Sequence, residues 1–148
     1  MIDLRPILRE YLLRDTEFSS RLSNYLDSKA LFTRTPVPND ANYPLGVISP
    51  IVADLQNDFV SCGGRRTLSI DVFVYSNNED ATSYRNVEAA GLRLVKLLHR
   101  IPRYELSLPT GFSLIQTTAI GPLPGPTNDL IKVARAVTVN IDLYLENV

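Results

Sequence analysis

The chain has 148 residues, 45% hydrophobic and 21% charged, with a formal net charge of −1. That length suits one domain spanning residues 1–148 with a proper core, and the near-neutral charge provides no global basic field for recruiting nucleic acid. The lone Cys62 excludes an internal disulfide and a cysteine-built zinc site. Charges at Asp3, Arg5, Arg9 and Glu10 argue against a signal peptide at the start, and no apolar run reaches the length of a membrane span.

In chain order, Leu4, Ile7, Leu8, Tyr11 and Leu12 recur at helical spacing, with Asp3 as the expected N-cap and Pro6 tolerated in the first turn. A second short helix is expected behind Asp15 or Thr16, its stripe made by Phe18, Leu22, Tyr25 and Leu26. A strand over Leu31 to Thr35 gives way to the irregular "PVPNDANYP". "LGVISPIVADLQ" then reads as a strand that Pro50 places at an edge or a bulge.

"SCGGRR" at 61–66 reads as a turn in which Gly63 and Gly64 supply positive φ. "TLSIDVFVY" follows with Leu68, Ile70, Val72 and Val74 on one face and Ser69, Asp71, Phe73 and Tyr75 on the other. Asn77 and Asn78 are the expected caps of a helix whose stripe is Tyr84, Val87, Gly91, Leu94, Leu98 and Ile101, stopped by Pro102. "FSLIQTTAI" is a strand and "GPLPGPTND" a loop.

From Ile131 the alternation resumes and runs almost to the end. Val133, Val137, Val139, Ile141, Leu143 and Leu145 lie on one face; Thr138, Asn140, Asp142 and Tyr144 lie on the other. A strand of some fifteen residues would reach about 50 Å, more than a compact body of this size needs. The expected fold class is α+β, in the order α-α-β-β-β-α-β-β. A mostly antiparallel sheet of four to five strands carries the helices on one face.

Candidate chemistry is sparse. The single histidine, His99, falls in the last helical turn, where it is expected to face the macrodipole or solvent. Cys62 reads as a small turn residue, and "SCGGRR" lacks the spacing and ending of a phosphate loop. Asp54 with Asp58, or Glu79 with Asp80, lack the dense oxygen pattern of a calcium loop. No cofactor, metal or catalytic set is therefore expected. Of the 15 cationic residues only Lys29, Lys96 and Lys132 are lysine; arginine is favoured at protein interfaces, although a GC-rich genome produces the same bias.

The run "GGRRTLSIDVFVYSNNEDATSYRNVEAAGLRLVKLLHR" at 63–100 resembles the centre of the phage tail-terminator (tail-completion) proteins. It has a glycine turn, a strand of the type R-x-x-[LV]-x-[IV]-D-V-[FW]-[VA], a polar turn, and a helix with Ala81, Ala90, Leu94 and Leu98 in the family's spacing. "RPILREYLLRD" and "RAVTVNIDLYL" are similar to the family's ends, whereas "PVPNDANYP" departs from its shorter connection.

The resemblance implies a non-enzymatic virion protein at the tail–neck junction, assembled in the host cytoplasm. Six copies would form a ring on the tail tube protein, stop its polymerisation, present a surface to the head-side connector or stopper, and let DNA pass without sequence-specific contact. No membrane is involved. On that reading the interface candidates are Arg65, Arg66, Asp71, Phe73, Tyr75, Asn140, Asp142 and Tyr144, because a sheet face mixing aromatics with Asp and Asn suits an interface. The long last strand is expected to overshoot its own sheet and pair with, or pack on, a neighbour. The rival readings are another neck ring protein and a small-molecule-binding α+β domain.

Overall fold

A computed structural model describes residues 2–60 and 63–146. Over these described residues the chain is α+β: three helices lie against one face of a six-stranded mixed sheet. Helix α1 (Arg5–Leu13) has Leu4 rather than Asp3 at its N-cap, but Asp3 still accepts the Arg5 amide at 3.1 Å and ion-pairs with its guanidinium. Helix α2 (Thr16–Ser19) is capped by Asp15, which accepts the Phe18 amide at 2.9 Å.

The second helix is much shorter than its apolar spacing predicts. Ser23 donates its amide to the Pro44 carbonyl and its hydroxyl to that of Tyr43. These bonds draw the chain out of the helix and into a small hairpin, β1 (Asn24–Tyr25) and β2 (Ser28–Lys29). Phe18 and Leu22 are buried as expected; Leu26 instead sits at the hairpin turn, exposed.

The main sheet runs β3 (Leu31–Phe32), β4 (Leu45–Ile48), β6 (Gly63–Ser76), β8 (Val133–Glu146), β7 (Phe112–Pro124), and β5 (Ala53–Val60) also pairs with β6. The β3–β4 pair is parallel and the others are antiparallel. "LGVISPIVADLQ" is split at Pro50 into β4 and β5, both on the same side of β6. Ser49 and Val52 carry the ladder across the break by donating to the Asp71 and Ser69 carbonyls. Proline supplies no amide there, so the break falls where the ladder loses a donor.

Gly63 and Gly64 are strand residues, opposite Glu146 and Leu145, rather than the turn itself. Cys62 lies outside the described residues. Helix α3 (Ala81–Leu98) is capped by Asp80, whose carboxylate accepts the Ser83 amide at 2.7 Å, and not by Asn77 or Asn78; Asn78 accepts the Asp80 amide one step earlier. Of the expected stripe, Val87, Gly91, Leu94 and Leu98 are buried on the sheet, whereas Tyr84 is exposed. Ala90 joins the buried face.

The last strand corrects the overshoot expectation. β6 is as long as β8 and pairs with it from Ser76↔Val133 to Gly63↔Glu146, while β7 occupies the other side of β8. The C-terminal strand is thus interior to the sheet, and its length is matched within its own subunit. One core joins Leu4, Leu8 and Leu12 of α1, Phe18, the α3 stripe, and the rows Leu68–Val74 and Val137–Leu143. A satellite cluster of Ala30, Leu45 and Val47 packs with Tyr25, Phe32, Val37, Tyr43 and Tyr75 on the opposite face.

Candidate functional site

Alternation sends the odd residues of β6 and the even residues of β8 to the face away from the helices. Their register makes them direct cross-strand partners: Arg65↔Tyr144, Thr67↔Asp142, Ser69↔Asn140, Asp71↔Thr138, Phe73↔Ala136 and Tyr75↔Ala134. Of the eight candidate residues, Arg65, Asp71, Phe73, Tyr75, Asn140, Asp142 and Tyr144 therefore share one face. Arg66 does not. It lies on the helix side opposite Leu143 and pairs with Asp54 at 2.9 Å.

This open face divides into two halves. In the polar half three cross-strand pairs are tied together. Thr67 donates to Asp142 at 2.6 Å, Ser69 bonds Asn140, and Thr138 donates to Asp71 at 2.7 Å. Asp142 also accepts from Gln116 of β7 at 3.1 Å and lies 3.7 Å from the Arg65 guanidinium. Such cross-strand pairs fix register and leave the half-buried polar groups satisfied.

The other half is apolar. Leu123, Ala136, Phe73 and Val47 form one row across four strands, and Ala134, Tyr75 and Leu45 form the next. The Phe73 and Tyr75 rings stack with centroids 5.7 Å apart and planes 10° from parallel. The segment at 35–43, containing the prolines that set this chain apart from a compact connection, lies over them. It encloses an apolar cavity of about 240 Å³ lined by Val37, Tyr43, Val47, Phe73 and Tyr75. Burial, with the nearby Tyr43 adding to it, pushes the Tyr75 hydroxyl above its ordinary pKa. The sequence pattern places these residues on one face but carries no sign of the covering segment.

The free side of β7 is partly closed by the exit from α3. Arg100 donates its amide to the Thr117 carbonyl, and the Ala119 amide donates to Nδ1 of His99 at 3.2 Å. The buried Thr117 hydroxyl accepts the Ile101 amide and donates to the Leu98 carbonyl. His99 is exposed, and its described bond is to this strand edge. Beyond the closed stretch, Ile115, Ile120 and Leu123 of β7 remain exposed.

Asp54 is engaged by Arg66, and Asp80 by the start of α3, whose Ser83 amide holds its carboxyl below the usual range. Among the described residues no group of three or more His, Cys, Asp or Glu side chains could hold a metal ion. None of the described helices is long and apolar enough to cross a membrane. What the site offers is a face whose polar half is already hydrogen-bonded and whose apolar half is partly roofed.

No protein-family profile and no curated protein sequence matches the chain. Its fold is nevertheless shared with a solved structure. A chain of the virion of a native gene transfer agent (GTA) particle superposes with a TM-score of 0.61 at 14% identity, covering 97% of this chain and 95% of that one. At that identity the likeness is one of fold, and it extends over nearly the whole length of both chains.

Proposed function

We propose that this protein is a structural component of a phage-type virion, a tail terminator that builds a ring on the end of the tail tube. The observation that carries the reading is the near-complete fold likeness to a chain of a virion particle. The independent resemblance of residues 63–100 to tail-terminator sequences narrows it to the terminator. In the proposed ring six copies cap the tube and stop its growth. The opposite surface receives the head-side connector or stopper, and DNA passes through the channel without base readout or catalytic turnover.

A closed ring of identical subunits requires two different surfaces on each subunit that meet head to tail. The open sheet face, through Arg65, Asp142 and Tyr144, is the proposed partner-contacting region. The test is to add purified protein to uncapped tail tubes and to tail-less heads, and to image both by negative stain. A ring on the tube end, with tube elongation arrested, supports the terminator. A ring on the head portal makes the protein a connector or stopper, and binding to neither rejects a neck role.

A further inference from the structure

The hairpin turn between β1 and β2 is built unusually. Leu26 stands at its tip with 83% of its surface exposed and a φ of +52°. Glycine or asparagine adopts that left-handed backbone far more easily than leucine does. Asp27 follows it, with no ion pair among the described residues. The hairpin is held firmly: Arg9 of α1 donates to the Leu31 carbonyl at 2.7 Å, to the Ser28 hydroxyl and to the Lys29 carbonyl. A strained, exposed aliphatic side chain on an anchored turn is a presented knob, and an outlier of this kind points to use.

A recess of about 740 Å³ lies at the far end of the sheet, where β7 begins. Leu106, Phe112, Ile115 and Tyr144 form its walls; Arg103 stands at it, and so does Arg65, which also lies 3.7 Å from Asp142. In sheet order the recess is at the β7 end, whereas the hairpin leads directly into β3 at the other end. One is a projecting leucine with Asp27 beside it and Lys29 two residues further on; the other is a recess holding Arg103. They complement each other head to tail.

We propose that Leu26 of one copy docks into this recess on the next copy, with Asp27 facing Arg103 and Arg65. This deepens the ring reading above and rests on it: the contact is the heterologous one that such a ring repeats around its circumference. Leucine supplies the apolar insertion, and the acid beside it meets a cationic rim, which fixes orientation and favours the correct partner.

The test uses the full chain with Cys62→Ser, Leu26→Cys and Ile115→Cys, mildly oxidised over a range of subunit concentrations. A ladder of covalent oligomers ending at the ring size is expected, while either single-cysteine chain stops at dimers. In parallel, Leu26→Ser should raise the concentration for half-assembly about tenfold or more at an unchanged thermal midpoint. Asp27→Arg and Arg103→Asp should each weaken assembly, and their combination should restore it.

Rings that form normally without the ladder, and that are indifferent to Leu26→Ser and to the charge reversals, overturn this contact and leave the ring reading standing. A chain that stays monomeric at every concentration and on tail tubes overturns both.

Discussion

Arg93 of α3 grips Asp15 with two nitrogens, Nη2 to Oδ1 at 2.7 Å and Nε to Oδ2 at 3.0 Å, while Asp15 also caps α2. One carboxylate thereby joins the N-terminal helices to the long one. The Arg93 guanidinium, more than the Phe18 amide, holds the Asp15 carboxyl below its ordinary 3.8, with burial pulling the other way. A depressed folded value means that the stabilisation is present above the unfolded pKa. It is lost as pH falls through the folded one. Asp15→Asn, which keeps a capping oxygen but loses the charge, should cost about 1 kcal/mol at neutral pH. The difference from the parent should shrink between neutral pH and an acid pH below the lowered folded value of Asp15, where the parent carboxyl is protonated as well. Urea midpoints at the two pH values check this, and an unchanged gap would mean that the pair does not depend on charge.

Leu94 and Leu98 are fully buried in the cluster that contains Leu68, Ile70, Val72 and Val74. Truncation of either to Ala should cost about 2–5 kcal/mol through lost burial and the cavity left behind. Chemical denaturation of each single variant measures it.

Gly91 looks like a weak point in α3, since glycine is about 1 kcal/mol worse than alanine inside a helix. Here the reverse is expected. A Cβ at that position would stand 2.8 Å from Cβ of Pro122 and 3.4 Å from Cβ of Arg135, so the helix lies on the β7–β8 pair at a distance only glycine allows. Gly91→Ala should lower stability by about 1–3 kcal/mol as an overpacked contact. A raised thermal midpoint would show that α3 can lift without loss.

Phe73 and Tyr144 occupy the same face but opposite halves of it, so their truncations should separate. Phe73→Ala removes a ring stacked on Tyr75 beneath the 35–43 segment and should cost about 1–3 kcal/mol. Tyr144→Ala, at the recess near Arg65, should cost under about 1 kcal/mol and act on ring formation or tail capping instead. Thermal melts paired with tube-capping counts distinguish the two. Equal destabilisation by both would place Tyr144 in the core as well.

Strands β6 and β8 were legible because their alternation is strict: Leu68 to Val74 and Val137 to Leu143 each leave no doubt about the buried side. The partners of β8 were not legible, since alternation specifies a face and says nothing about which strand lies alongside. Leu26 illustrates the limit of helical spacing. It falls on the Phe18–Leu22 stripe, yet Ser23 finds better acceptors in Tyr43 and Pro44, distant in sequence, and the helix ends. The cap of α3 lies two or three residues beyond the expected Asn78 and Asn77, because Asn77, Asn78 and Asp80 are all competent caps and only backbone geometry chooses among them. In the candidate site, parity alone would have separated Arg66 from Arg65. The roof over Phe73 depends on where an irregular loop folds back, for which the sequence holds no periodic signal.

The strand that comes last in the described chain is flanked on both sides, and this governs the order in which the subunit can be made. While the chain emerges from a ribosome, β6 must wait with one side unpaired until α3, β7 and finally β8 have followed. Closing Gly63 against Glu146 spans more than half the chain, a long-range pairing of the slow-folding kind. Until then β7 has no partner in the sheet, and the recess at its start lacks Tyr144. On the proposed contact, a partly synthesised subunit would offer an incomplete socket, and growth of the ring would be gated by completion of each chain.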